Sequence, residues 1–219
     1  TRTKALRYFK QYYENNKIKS VMDIQILAPF KERGDACVFN LNQDVQQYLN
    51  PSASFKQEIE VSLDKDKSFV LREGDKVMCI KNNYKLYNMQ GCQTNVFNGW
   101  VGILEEINKY TQYVTIYFPI IKDRILFGFS DIKSIVILGY ASTVHKFQGS
   151  SAKYIIGVLD NTTPPNMRTK ELMYTLPTRA ELDCTIVAQN SALYNATLTS
   201  GIEDKNTFLT ELLDEELLK

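Results

Sequence analysis

The stretch "YASTVHKFQGSS" at residues 140–151 holds the only histidine of the chain, with Thr143, Lys146, Gln148 and Gly149 around it. Thr143 and His145 can each donate to a phosphate oxygen, and Gly149 allows the backbone to approach an anion closely. The group suits a polyphosphate or a nucleic-acid backbone. A lone histidine in such a loop can equally satisfy a neighbouring carbonyl, so its position leaves both roles open. A second polar segment, "ELMYTLPTRAELDCTIVAQ", places Arg179 between a helical pattern and a strand. Its planar guanidinium can stabilise charge on a transferring phosphoryl group, or simply pair with Glu181 at the surface. A third, "APFKERGD", offers Lys31 and Arg33 as solvated charges or phosphate contacts.

These residues need a scaffold, and the pattern around them predicts one. Leu6, Phe9 and Tyr13 fall on one face of a helix over residues 4–16, and "SVMDIQILAP" follows as a buried strand ended by Pro29. Asp35 is placed to cap a helix carrying Val38, Leu41, Val45 and Tyr48, which closes at "NPSAS". From about residue 69, short β-rich runs alternate with turn signals such as Glu73-Gly74-Asp75 and Asn98-Gly99, as in a small antiparallel barrel. "SIVILGYAS", "AKYIIGVLD" and "CTIVAQ" then restore the α/β rhythm. The expected architecture is an α/β parallel-sheet domain interrupted by a small antiparallel β-barrel. The tail "NTFLTELLDEELLK" has apolar residues at helical spacing and reads as a helix docked on its own domain or, alternatively, on a protein partner.

Composition limits the function classes. Twenty-six Lys and Arg face 25 Asp and Glu, a formal charge of +1, so nucleic-acid binding by global charge is excluded and any such binding must be local. The four scattered cysteines contain no CxxC pair, and one histidine leaves no Cys/His set, so no metal site is expected. The thiols read as reduced, in a cytoplasmic protein. No apolar run has the length of a membrane span, so no membrane partner is expected. The abrupt polar start "TRTKALRYFKQYYENN" suggests a segment of a longer chain.

The ordered set "IQILAPFKERGDACVFNLN", "LREGDKVMCIKNNY", "VFNGWVGILEEI", "YASTVHKFQGSS" and "ELMYTLPTRA" resembles the C-terminal half of the RecD-type superfamily 1 DNA helicases, over about residues 23–190. The resemblance implies a second RecA-like domain at 1–68 and 134–200, an inserted SH3-like barrel at 69–133, and a C-terminal helix at 201–219. It implies that Arg179 is an arginine finger on the ATP γ-phosphate, with Arg33, Gln148 and Gly149 lining the same cleft. Thr143, His145 and Lys146 would face single-stranded DNA, so that one loop couples nucleotide state to strand grip during 5′ to 3′ stepping. The partners implied are single-stranded DNA and the N-terminal RecA-like domain of the same protein, with ATP and Mg2+ bound only in the full-length molecule.

Two positions depart from the family pattern. Ser151 stands where a Glu usually follows "QGS", and Pro177 breaks what is usually "YTALTRA". A proline inside a helix costs about 3 kcal/mol unless the helix is kinked or ending there. No GxxxxGK[ST] loop occurs, so this chain alone is not expected to hydrolyse ATP. Two other readings remain. One is a nucleic-acid binding module without motor activity, using the barrel and "IKNNYK"; the other is a degenerate scaffold.

Overall fold

The computed structural model describes residues 1–15, 18–64, 67–164 and 167–200. Helix α1 (Arg2–Glu14) leads through a 3-10 turn to β1 (Ile24–Ala28) and helix α2 (Val38–Leu49). The hairpin β2 (Glu58–Asp64) and β3 (Lys67–Arg72) follows. Six strands come next: β4 (Lys76–Cys79), β5 (Asn83–Asn88), β6 (Gln93–Val96), β7 (Val101–Asn108), β8 (Tyr113–Phe118) and β9 (Asp123–Gly128). After α3 (Phe129–Ile135) the chain runs β10 (Val136–Leu138), β11 (Ala141–Thr143), β12 (Ala152–Leu159), α4 (Lys170–Thr175), β13 (Ala180–Ala188) and α5 (Asn190–Leu198).

Two main sheets result. The first is parallel, in the order β11-β1-β12-β13, with Ile26 opposite both Ala141 and Ile156. The second is antiparallel, in the order β10-β4-β7-β8-β9-β5-β6, and is the barrel-like insertion. The fold class expected from the sequence is therefore the observed one.

Strand β1 is buried at every position, Gln25 included, as expected of a strand covered on both faces. Ile24, Ile26 and Ala28 join Ile156 and Val158 in the main core with Phe9 of α1 and Leu41 and Val45 of α2. Leu27 points the other way and packs with Val144, Phe147, Ile155 and Leu176 in a separate small core. The loop between β11 and β12 is thus held against the sheet by its own apolar residues.

Three local expectations need correction. The buried face of α1 is Ala5, Phe9 and Tyr12; Tyr13 is 44% exposed and meets Tyr48 edge-on. Tyr12 turns inward because its hydroxyl donates to Asp183 Oδ2 at 2.7 Å, a polar partner invisible to an apolar-periodicity argument. Asp35 does not cap α2: the N-cap is Cys37, and the amides of Val38 and Phe39 donate to the carbonyls of Phe30 and Lys31. Backbone acceptors thus satisfy donors that a capping side chain would otherwise serve. Finally, "SIVILGYAS" is two strands in two sheets, with β10 paired antiparallel to β4 and β11 parallel to β1. Gly139 permits the crossing, since a Cβ there would lie 2.8 Å from the Val77 carbonyl carbon.

The insertion is fastened to the parallel sheet by two adjacent buried charges. Asp75 is fully buried and accepts from Gln46 Nε2 at 2.5 Å, Asn50 Nδ2 at 2.7 Å, the Arg72 amide at 2.7 Å and the Tyr140 hydroxyl at 2.9 Å. Burial still raises its carboxyl above the usual range, against the pull of these donors. Lys76, 2% exposed, donates from Nζ to the carbonyls of Ile24 at 2.8 Å and Val21 at 3.2 Å. Desolvation pushes its ammonium down to about 7. Among the described residues no helix is long and apolar enough to cross a membrane. The helix expected at 201–219 lies outside the described residues.

Candidate phosphate and strand site

Parallel strands force the loop after β11 to travel from the carboxyl edge of the sheet back to its amino edge before β12 begins. Thr143 closes β11 opposite Ala28, and its Oγ1 accepts from the Lys146 amide at 3.3 Å, tightening the turn that follows. His145 and Lys146 lie exposed in a 3-10 turn at His145–Phe147, anchored by buried Phe147. Packing around the Lys146 ammonium and then the charge of Lys31 hold it below the usual lysine range. Gln148 is exposed, and Gly149 adopts φ 82° with open space where a Cβ would stand. Only glycine takes that backbone geometry without strain, and the open side leaves its amide approachable.

Arg179 ends a 3-10 turn, Pro177–Arg179, that follows α4. Helix α4 finishes at Thr175, so Pro177 opens the turn instead of breaking a helix, and the anticipated penalty does not arise. Leu176 is pinned beneath, packed so closely on Gly157 that a Cβ there would approach it to 2.8 Å. This fixes the turn against β12. Because Ala152 stands opposite Ala180 in the parallel register, the Gly149–Ser151 segment and Arg179 reach the same edge of the sheet together.

The polar partners at this edge are informative. Ser151 Oγ donates to Glu181 Oε1 at 2.5 Å, so the carboxylate nearest in sequence to Arg179 is turned to Ser151. None of the ion pairs among the described residues involves Arg179 or Arg33. Arg179 Nη2 reaches only Thr178 Oγ1 at 3.4 Å, and its buried Nε has no hydrogen-bond partner. A guanidinium left with unmet donors is chemically ready for an anion.

Arg33 stands elsewhere, exposed in the segment after the carboxyl end of β1. The fold therefore gathers Gly149, Ser151 and Arg179 at one edge and leaves Arg33 on the segment leaving the other; Lys31 there is paired with Glu32 at 2.9 Å. Among the described residues there is no cluster of His, Cys, Asp or Glu able to hold a metal ion. Sequence reasoning missed the Ser151–Glu181 bond and the structural use of Asp75 and Lys76. The available signal for the latter was an ion-forming pair, "GDKV", at the head of an otherwise apolar strand.

Residues 41–118 match the ATP-dependent RecD-like DNA helicase SH3 domain, and residues 138–187 match the UvrD-like helicase C-terminal domain. The resemblance to the RecD-type superfamily 1 helicases is borne out. The chain is similar to the ATP-dependent RecD2 DNA helicase of Deinococcus radiodurans, 28% identical over 188 residues that cover 86% of this chain and 23% of that protein. It is also similar to an uncharacterized protein of Methanocaldococcus jannaschii, 28% identical over 214 residues, covering 87% of this chain and 17% of the relative. The chain thus spans about a fifth of the length of these relatives. Among solved structures, the fold is shared with the Pif1 helicase from Bacteroides in complex with ADP-AlF3 and single-stranded DNA. That match has a TM-score of 0.51 and 17% identity, over 94% of this chain and 48% of that one. The Pif1 helicase from Candida albicans matches with a TM-score of 0.50 and 15% identity, over 90% and 50%.

Proposed function

We propose that this chain is the C-terminal motor half of an ATP-dependent 5′ to 3′ DNA helicase, completed by an N-terminal RecA-like domain of the same protein. In this reading residues 1–68 and 134–200 form the second RecA-like domain and 69–133 the inserted SH3-like barrel. Arg179 is the arginine finger on the γ-phosphate of ATP, with Gly149 and Gln148 beside it. Arg33 is a second phosphate contact that must reach in from the β1 side. Thr143, His145 and Lys146 grip the backbone of single-stranded DNA.

The observation that carries the reading is Arg179. The turn that carries it is packed onto β12 through Leu176, and its guanidinium lacks a carboxylate partner and retains a buried donor without an acceptor. Phosphoryl transfer needs a preplaced cation of this kind, because catalysis there is largely positioning and charge stabilisation. ATP supplies the phosphoryl chemistry when bound, while Mg2+ and the phosphate loop belong to the other domain. The likeness to RecD2 and the shared fold with a Pif1 helicase solved with ADP-AlF3 and single-stranded DNA support the assignment.

The test is DNA-stimulated ATP hydrolysis by the full-length parent, comparing wild type with Arg179→Ala and Arg179→Lys at equal strand occupancy. Hydrolysis should fall by roughly 10³-fold or more in the alanine variant with strand binding retained, and lysine should rescue it poorly for want of the planar fork. Unchanged hydrolysis would remove Arg179 from the reaction.

A further inference from the structure

The barrel carries a surface that the motor reading does not use. Between Asp75 and Glu105 the sequence contains no acidic residue, although 25 occur in the chain as a whole. This acid-free stretch forms β5 and β6 and presents Lys81 and Lys85 to solvent. Tyr84 is 52% and Phe97 39% exposed. Their rings meet edge-to-face at 6.1 Å, and Phe97 continues to Trp100 at 5.3 Å. Asn82 Nδ2 donates to the Tyr84 hydroxyl at 2.9 Å and fixes the outer ring. The two carboxylates arriving from β9 and α3, Asp123 and Asp131, are engaged by Asn88 and Asn83.

This ladder opens directly onto the loop described above. A groove of about 490 Å³ is lined by Asn98, Gly99 and Trp100 of the barrel on one side and by Lys146, Gln148 and Ser150 on the other. The carbonyl of Lys146 lies 3.9 Å from where a Gly99 Cβ would stand, so the two walls nearly touch. Exposed aromatic faces interleaved with lysines, at the mouth of a polar groove, suit unstacked bases with a phosphate backbone alongside. A protein partner would not account for the exclusion of acidic residues as directly.

We propose that Tyr84 and Phe97 form a base-stacking platform for single-stranded nucleic acid, extending the strand path from the Lys146 loop through the Trp100 groove onto the barrel. The inference rests on the proposed strand contact at Thr143, His145 and Lys146 for its direction, but not for its chemistry. Specificity should be for strand form over sequence, since every base offers a π-face.

Trp100 is the only tryptophan and reports on the groove itself. We would titrate this chain with oligothymidylate up to ~1 mM strand, following Trp100 emission and the anisotropy of a labelled strand. Wild type should show quenching, absent with a blunt duplex of equal charge. Tyr84→Ala should weaken binding roughly 5- to 100-fold, while Tyr84→Phe should retain it, because the ring and not the hydroxyl does the stacking. Circular dichroism checks that the variants fold. Equal affinity of Tyr84→Ala and wild type, or an unquenched Trp100 at saturation, overturns the platform. Weakening by Lys146→Ala but not by Tyr84→Ala keeps the loop contact and refutes the platform. The reverse supports the platform and refutes the loop contact.

Discussion

The barrel junction and the Arg179 edge are both rich in charge, yet they treat it oppositely. At the junction, Asp75 is surrounded by four donors and Lys76 by two carbonyls, all supplied by the chain itself. At the edge, Arg179 is left with a buried Nε that nothing accepts, and the nearby Glu181 is occupied by Ser151. A buried charge with every partner present specifies how two sheets fit together. A charge with a buried donor left without one is an incomplete arrangement, and a ligand is the natural completion.

The largest effect that sharpens this contrast is the loss of roughly 10³-fold or more in hydrolysis on Arg179→Ala in the parent, with stability close to wild type. Second is Asp75→Ala. It removes the acceptor of the Tyr140 hydroxyl and the Arg72 amide and one of the two acceptors of the Gln46 and Asn50 amides, and should lower unfolding free energy by about 3–5 kcal/mol in denaturant titration of this chain.

Lys76 adds a pH dependence of known sign. Its folded-state value of about 7 lies below the ordinary 10.5, so between these the unfolded chain binds more protons and stability rises with pH. As pH falls from about 10.5 to about 7 that contribution is lost, and below about 7 it is flat. Lys76→Met should flatten the difference across this window, by about 1–3 kcal/mol. An unaltered slope would mean the ammonium is no worse off inside than in water. The smallest effect is Ser151→Ala, which removes one exposed hydrogen bond and should cost less than about 1 kcal/mol in melting experiments. A larger loss would mean the edge is built like the junction.

The elements were legible where one physical signal dominated. Largely apolar runs gave β1 and β12, and turn dipeptides with short β-rich runs gave the insertion. Failures occurred where polar groups chose among apolar alternatives. Tyr12 displaced Tyr13 on α1 through a hydroxyl bonded 171 residues away, and backbone carbonyls made a cap at Asp35 unnecessary. The division of "SIVILGYAS" between two sheets depended on Gly139 meeting Val77, a close approach that no local pattern encodes. At the site, order and spacing gave the loop and the arginine turn. Pro177 reads locally as a defect and structurally as a terminator. The separation of Arg33 from Arg179 followed only from strand direction.

The most direct test of the contrast is a paired measurement on the parent protein, with unfolding free energy and DNA-stimulated ATP hydrolysis read from the same preparations of Asp75→Ala and Arg179→Ala. The account predicts that Asp75→Ala is markedly destabilised, with the hydrolysis of its folded fraction largely kept, and that Arg179→Ala is as stable as wild type and nearly inactive. A destabilised Arg179→Ala, or a stable Arg179→Ala that still hydrolyses ATP at the wild-type rate, would contradict it.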